Sequence, residues 1–502
     1  VPADPAVTTG RERGPDDLAR AWLAAAAARG VAVPAYDLVG VRPSVVHIGP
    51  GVFHRAHQAV YGDEVLATGS LSGGICAVSL RSADLHRALA RQGHLYTLLE
   101  RDDGGDRARL IGSIRETIVA AYDPEAALRR LTDPAAQVVT ITVTEAGYCS
   151  VGPSGPLDTS RPEIAHDLAH PAAPRSLPGL LAEALARRRA AGTAPLTVVS
   201  CDNLRANGPA TRRVVSEFAE HRGGDLAGWI HGTVAFPSSM VDRMVPATTE
   251  DIRALAAERT GMADAWPVVT EPFSQWVLED TFPGGRPPWE RAGVELVADV
   301  APFERAKLRI LNGAHSALAY LGLLAGHATI ADAVEDAVLR PVVEAMLRDE
   351  VVPTLAPPPG LDLAAYAATV LRRFANRPLA YATVKVAGDG SQKLPVRIVG
   401  TAADRLAADA GAERLALVVA AWAACVLGPR SGELGIPDPE LERLLGSSGT
   451  PVPDAAAAVD RLLGLDAVFG PLGRTPAFAG AVRRHAARLW REHVHAAASA
   501  CR

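Results

Sequence analysis

The strongest constraint on how this chain folds is an alternation. Short β-branched runs, SVVHIG (44–49), GGICAVSL (73–80), QVVTITVT (137–144), PLTVVSCDN (195–203) and GTVAFP (232–237), read as strands. Between them lie stretches of helical character, including PGVFHRAHQAVYGDEVLA (50–67), DLHRALARQG (84–93) with Gly93 as its C-terminal stop, and GLLAEALARRRAAG (179–192). Strands that alternate with helices predict a mainly parallel, doubly wound α/β sheet covered on both faces. An Ala-rich helix leads (15–29). After about residue 297 the pattern changes to alanine and leucine at helical spacing, punctuated by APPPGLD (356–362), VAGDGSQKLP (386–395) and GIPDPE (435–440). The expectation is two domains, an α/β unit over 1–297 and a mostly α-helical one over 298–502.

With 48% hydrophobic and 21% charged residues the chain has the balance of a globular protein with a real core. Its 51 basic against 56 acidic residues, a formal charge of -5, argue against a nucleic-acid binder, which carries a basic excess. Five dispersed cysteines (Cys76, Cys149, Cys201, Cys425, Cys501) without a Cys-x-x-Cys indicate neither a disulfide framework nor a zinc ribbon, and suit a reducing compartment. No apolar run reaches the roughly 18 residues a bilayer span needs. The first 30 residues mix Arg13, Asp16, Asp17 and Arg20 with alanines, unlike a signal peptide. A soluble, cytoplasmic protein without a membrane partner is expected.

One bias is sharper than the averages. Of the 51 basic residues only Lys307, Lys385 and Lys393 are lysines, and asparagine occurs only at positions 203, 207, 312 and 376. A compositional pressure has put arginine wherever a generic positive charge suffices. Arginine stays protonated, whereas a buried lysine amine can lose its proton and act as a base, so the surviving lysines are candidates for chemistry. These seven residues fall into SCDNLRANG (200–208), KLRILNGAHS (307–316) and RFANRPLAYATVKVAGDGSQKLP (373–395), which mark the candidate active site.

Gly49, Gly51 and Phe53 in GPGVFH have the layout of a dinucleotide fingerprint, where glycines let the backbone approach a pyrophosphate, although the third position holds His54. After the second strand, Asp84 can accept hydrogen bonds from a ribose diol or cap its helix. At about 100° per residue, Glu304, Lys307, Asn312 and His315 fall within an arc of roughly 140° on one helix face. That face presents an acid, an amine, an amide and an imidazole. A secondary alcohol needs a base for its hydroxyl proton as hydride leaves, and amides can stabilise the alkoxide. Lys307 is the candidate base, Asn203 and Asn312 the donors, His315 a hydroxyl holder, and Glu304 either a proton relay or a plain ion-pair partner. Zinc activates alcohols too, but the pairs His54/His57, His166/His170 and His493/His495 lack the His-Glu-x-x-His or Cys/His setting of a zinc site, so no metal is expected.

Taken together, HIGPGVFHRAHQAVY (47–61), TVTEAGYC (142–149), SCDNLRANG, FPSSMVDRMVPATT (236–249), EPFSQWVLED (271–280), KLRILNGAHSALAYLG (307–322) and DGSQKLP (389–395) resemble the mannitol dehydrogenase family of polyol-specific long-chain dehydrogenases, over nearly the whole chain. The resemblance implies a Rossmann-type NAD-binding domain followed by a helical substrate-binding domain. It also implies metal-independent, NAD-linked oxidation of a sugar alcohol or sugar acid in a cleft between the two. The family's lysine base and two oxygen-holding asparagines match Lys307, Asn203 and Asn312. His315 and Lys393 match substrate positions, and Val241 and Asp242 lie in a block lining the cofactor side.

Two positions depart from the family's mannitol enzymes. Lys385 stands where those carry a substrate-contacting arginine eight residues before the second lysine, and so lacks the bidentate fork. Ala83, before Asp84, replaces an often acidic residue; Asp84 still favours NAD over NADP, with Arg81 near enough to tolerate a 2′-phosphate. Members named fructuronate reductase look similar at SCDNLRANG and DGSQKLP, and Arg205 with Lys385 could read a uronate carboxylate. The leading expectation is a polyol and ketose pair of the mannitol/fructose or arabinitol type, with D-mannonate and fructuronate as the alternative. A non-catalytic NAD(H) sensor is the remote one, since Lys307, Asn203 and Asn312 are all present. Oligomeric state is open at this level.

Overall fold

The first β-branched run forms strand β1 (Pro43–Ile48) of a computed structural model that describes residues 15–152, 155–446 and 452–501. It is followed by β2 (Gly74–Ser79), β3 (Tyr96–Asp102), β4 (Gly105–Ile111), β5 (Ile114–Val119), β6 (Val138–Ile141) and β7 (Thr197–Ser200). β5, β2, β1, β6 and β7 hydrogen-bond in that order into a parallel sheet. Successive side chains of β1 serve opposite cores, as the pleat requires. Val46 and Ile48 join Val78, Val139, Ile141 and Val198 beneath Leu128, Leu181 and Phe218 of one helical layer. Val45 joins Ile75, Val138 and Val199 against Val65 and Leu89 of the other. Burying each such side chain stabilises by roughly 1.5–3 kcal/mol, so a one-residue slip in register is strongly disfavoured.

The chain divides into two compact units, Val1–Val300 and Ala301–Arg502. The first is the Rossmann-type α/β unit, with β1 at the centre and strand order reversing on either side of it. GTVAFP departs from expectation. Gly232 and Thr233 finish the helix Leu226–Thr233, and only Ala235 touches the sheet, through an isolated parallel bridge to Thr197. Pro237 has no amide to extend that bridge into a ladder. Two smaller sheets complete this unit, formed with β8 (Ser239–Asp242), β9 (Val268–Thr270), β10 (Gln275–Glu279) and β11 (Glu295–Val297). β4, β3 and β9 make one, and β11, β10 and β8 the other. Their antiparallel pairs, β3 with β4 and β10 with β8, lie outside the predicted parallel alternation.

The described residues of the second unit contain helices and no strand. Helices Asn312–Ala325 and Glu413–Leu427 are buried on almost every side and form its centre. Their alanines and glycines let neighbouring backbones approach. Three segments wind as π-helix, Lys307–Leu311, Met346–Val351 and Pro395–Val399. Among the described residues no helix is long and apolar enough to cross a membrane.

Candidate active site

Open α/β sheets bind ligands at the carboxyl ends of their strands, where the strand order reverses. In the first unit that point lies between β1 and β6. Gly49 follows β1 with φ 89°, its amide donating to Val78 O and its carbonyl accepting from Thr142 Oγ1 at 2.8 Å. A Cβ there would stand 2.9 Å from the Thr142 carbonyl carbon, so both conformation and space demand glycine. Gly51 differs: its φ is −72°, it is exposed, and an added Cβ would meet only Gly49 O at 3.9 Å. Nothing in the fold requires glycine at 51, whereas a ligand approaching the backbone would.

His54, in place of the third fingerprint glycine, is fully buried and stacks on His47 with ring centroids 3.3 Å apart. His47 in turn sits between the hydroxyls of Thr140 and Thr142. Burial pushes His47 down to about 3 and holds His54 well below its ordinary value, so both rings are neutral packing groups at neutral pH. Phe53 is half-buried and stacks on His57 at 5.1 Å.

Asp84 is exposed at the end of β2, but it does not cap its helix. Ala83 holds the N-cap position, and Asp84 is the first residue of the helix Asp84–Arg91. Its carboxylate accepts from Arg87 Nη2 at 2.6 Å and Ser82 Oγ at 2.9 Å, and these bonds hold it below the usual carboxylate range. Beyond β7, Asn203 and Arg205 are exposed on a turn. The turn is fixed at both ends. Asn207 donates to Asp202 O and Ser239 O and accepts from Ser239 N, tying β7 to β8, where Val241 and Asp242 are buried. Asp202 accepts from Tyr148 Oη at 2.6 Å and Val143 N at 3.0 Å. Burial pushes the Asp202 carboxyl up to about 7, against the lowering effect of those two donors.

In the second unit, Lys307 (7% exposed) and Asn312 (8%) flank the π segment that joins helices Ala301–Ala306 and Asn312–Ala325. The Asn312 amide bonds back to Lys307 O, so the two residues stand one turn apart. This revises the expected arc, which assumed α-helical spacing throughout. Glu304 is half-buried one turn before. His315 stacks on Phe374 at 4.6 Å and lies 5.6 Å from the Tyr381 ring.

The segment DGSQKLP is clamped over the same helix. A side chain on Gly390 would collide with Trp422 Nε1 and with Tyr320 Oη at 2.6 Å, while Ser391 is held by Asp438. Lys393 Nζ donates to Gly388 O at 2.6 Å, and Arg397 Nη1 to Ser316 Oγ at 3.1 Å. Burial lowers both cations, Arg397 to about 10; the Arg397 charge lowers Lys393 further, while Asp389 offsets part of this. Lys385 is exposed on the short helix Thr383–Ala387.

Several groups were missed in the sequence. Asp202 and Tyr148 lie inside the quoted blocks, where an acid directly before a candidate asparagine was a usable signal. Arg397 was hidden by the arginine bias, and Asn207, grouped with the catalytic candidates by its scarcity, is a structural tie.

Residues 43–291 match the mannitol dehydrogenase Rossmann domain, and residues 299–490 the mannitol dehydrogenase C-terminal domain. The fold and its groups are those of a two-unit oxidoreductase. The chain belongs to the mannitol dehydrogenase family. It is 40% identical over 459 residues to D-mannonate oxidoreductase of Escherichia coli (strain K12), covering 90% of this chain and 94% of that protein. It is 43% identical over 399 residues to mannitol 2-dehydrogenase of Pyrenophora tritici-repentis, covering 78% and 70%. The solved ternary complex of Pseudomonas fluorescens mannitol 2-dehydrogenase with NAD and D-mannitol is similar at a TM-score of 0.82 and 39% identity, covering 94% of this chain and 96% of that one.

Proposed function

We propose that this protein is a metal-independent, NAD-dependent dehydrogenase that interconverts a sugar alcohol and a ketose. The observation that carries the reading is the π-helical bond that stacks Asn312 one turn above the buried Lys307. Gly49, Gly51, Phe53, Asp84, Val241 and Asp242 are the residues assigned to the cofactor, and the open space at Gly51 together with the exposed Asp84 carboxylate fits a pyrophosphate and a ribose diol. NAD supplies the hydride acceptor. Lys307 takes the substrate hydroxyl proton as the C–H bond breaks, and Asn203 and Asn312 donate to the oxygen on which negative charge develops. Glu304 passes the proton onward to solvent, while His315 and Lys393 hold neighbouring hydroxyls. With the base supplied by lysine, no metal is needed to acidify the alcohol. The buried, free cysteines suit the cytoplasm.

A second reading, oxidation of D-mannonate to fructuronate, is favoured by the cations around DGSQKLP. Lys393 and Arg397 are two partly buried cations on this segment, with Asp389 and Asp438 as the carboxylates acting on Lys393, and Arg205 and Lys385 are exposed. An anionic substrate would suit such a field. NADH absorbance with mannitol, arabinitol, sorbitol and mannonate, then with fructose and fructuronate in reverse, separates the two. Preference for neutral polyols with NAD over NADP supports the first reading. Preference for mannonate, lost in Arg205→Ala and Lys385→Ala, replaces it with the second.

A further inference from the structure

Three separate parts of the second unit bring metal-ligating side chains to one point. His327 follows the helix Asn312–Ala325, Asp336 is the C-cap of the helix Ile330–Glu335, and His495 belongs to the helix Val494–Ser499. His327 Nε2 lies 2.9 Å, and His495 Nε2 2.7 Å, from the same oxygen, Asp336 Oδ2. The other oxygen, Oδ1, accepts the amides of Val338 at 2.8 Å and Leu339 at 3.0 Å, which fix the carboxylate from behind. One nitrogen or oxygen from each residue lies within 4.8 Å of the others.

We propose that His327, Asp336 and His495 form a structural binding site for a divalent transition-metal ion of the zinc type, completed by water. Two imidazoles and a carboxylate are a donor set that zinc accepts, at about 2.0–2.2 Å from each atom. Ligands on one tetrahedral ion at those bond lengths stand roughly 3.3–3.5 Å apart. The two imidazole–carboxylate separations fall short of that value by roughly half an ångström, and all three donor atoms already lie within 4.8 Å of one another, so small side-chain shifts would open room for the ion. His493, its ring 4.8 Å from that of His495, leaves a further imidazole beside the set.

The cluster stands apart from the proposed chemistry: the chain turns at Gly326 and brings His327 back beside Gly322, seven residues and roughly 10 Å along the helix from His315. An ion here would pin the helix Val494–Ser499 to the connection after the helix Asn312–Ala325 and to the C-terminal end of the helix Ile330–Glu335. No spacing motif announces it: His327 and Asp336 are nine residues apart, but His495 lies 159 residues beyond Asp336 and pairs locally only with His493.

The test is titration of the chelator-treated full chain with zinc chloride, followed by calorimetry and thermal melting, and with cobalt chloride, followed by visible absorption. Expected are saturable binding of one equivalent, a melting temperature raised by several degrees, and a cobalt d–d band. His495→Ala and His327→Gln should each weaken zinc binding about tenfold or more, since even outer partners of ligands affect affinity on that scale. Absence of saturable binding in the parent chain, or an affinity equal to the parent's in both variants, overturns the proposal and leaves a hydrogen-bonded His–Asp–His clasp.

Discussion

The amide of Asn312 donates to the carbonyl of Lys307, five residues earlier in the chain. In an unbroken α-helix those residues would stand about 140° apart around the axis. The π-helical bond replaces that separation with a single turn, so an amine and an amide can face one substrate oxygen. Such bulges recur at functional sites because they re-aim side chains without ending the helix.

Replacing the amine tests the chemistry. Lys307→Ala should slow hydride transfer by roughly 100- to 10,000-fold at neutral pH, the range for loss of a general base. NADH binding, followed by fluorescence, should stay nearly intact. A variant that keeps most of its turnover would show that Lys307 is not the base.

The two glycines of the β1 turn should part company. Gly49→Ala forces a side chain onto a backbone at φ 89° and against Thr142, and should lower the melting temperature markedly. Gly51→Ala has room, and its stability should stay within about 0.5 kcal/mol of the parent. Its NADH dissociation constant should nonetheless rise, because the new methyl occupies the approach to the pyrophosphate. Unchanged NADH affinity in Gly51→Ala would remove Gly51 from the cofactor site.

Gly390 is closed in by Trp422 and Tyr320. Gly390→Ala should destabilise by about 1–3 kcal/mol, as overpacking does. Because the displaced segment carries Lys393, KM for the sugar should rise while NADH affinity holds. Equal loss of both would mean that the segment supports the whole fold, not the substrate groups.

Asp202 sets a pH dependence. Its folded carboxyl titrates near 7, above its ordinary value, so the native state holds the proton more tightly than the unfolded chain. Its contribution to stability is therefore full below about pH 4 and is lost as pH rises toward 7 and beyond. Asparagine does not ionise and still offers an oxygen to Tyr148 and Val143. From about pH 5 to 8, Asp202→Asn should gain on the parent by on the order of 1 kcal/mol, or roughly 2–4 °C in melting temperature. Parallel melting curves for the two proteins would refute this.

Much of the first unit was legible because burial repeats along a single element. The β-branched runs at Val45–Ile48 and Val138–Ile141 announce strands, and Gly49 announces a turn that only glycine can make. Failure came where a neighbour decided. GTVAFP has the composition of a strand, yet the preceding helix consumes its first residues and Pro237 limits the rest. Asp84 reads equally well as a cap or a ribose acceptor, and Arg87 and Ser82 are what hold it.

The sequence by itself determined the parallel α/β sheet of the first unit and the helical make-up of the second, and it singled out the segments around Lys307, Asn203 and Asn312 as candidates for chemistry, since side-chain patterning and residue scarcity are local properties. Only the tertiary structure decided that Asn312 sits one turn above Lys307, that His54 is a neutral stacking partner of His47, and that His327, Asp336 and His495 meet. Each of these depends on a hydrogen bond or contact chosen by packing, and one-dimensional spacing carries no record of which remote surface an element will meet.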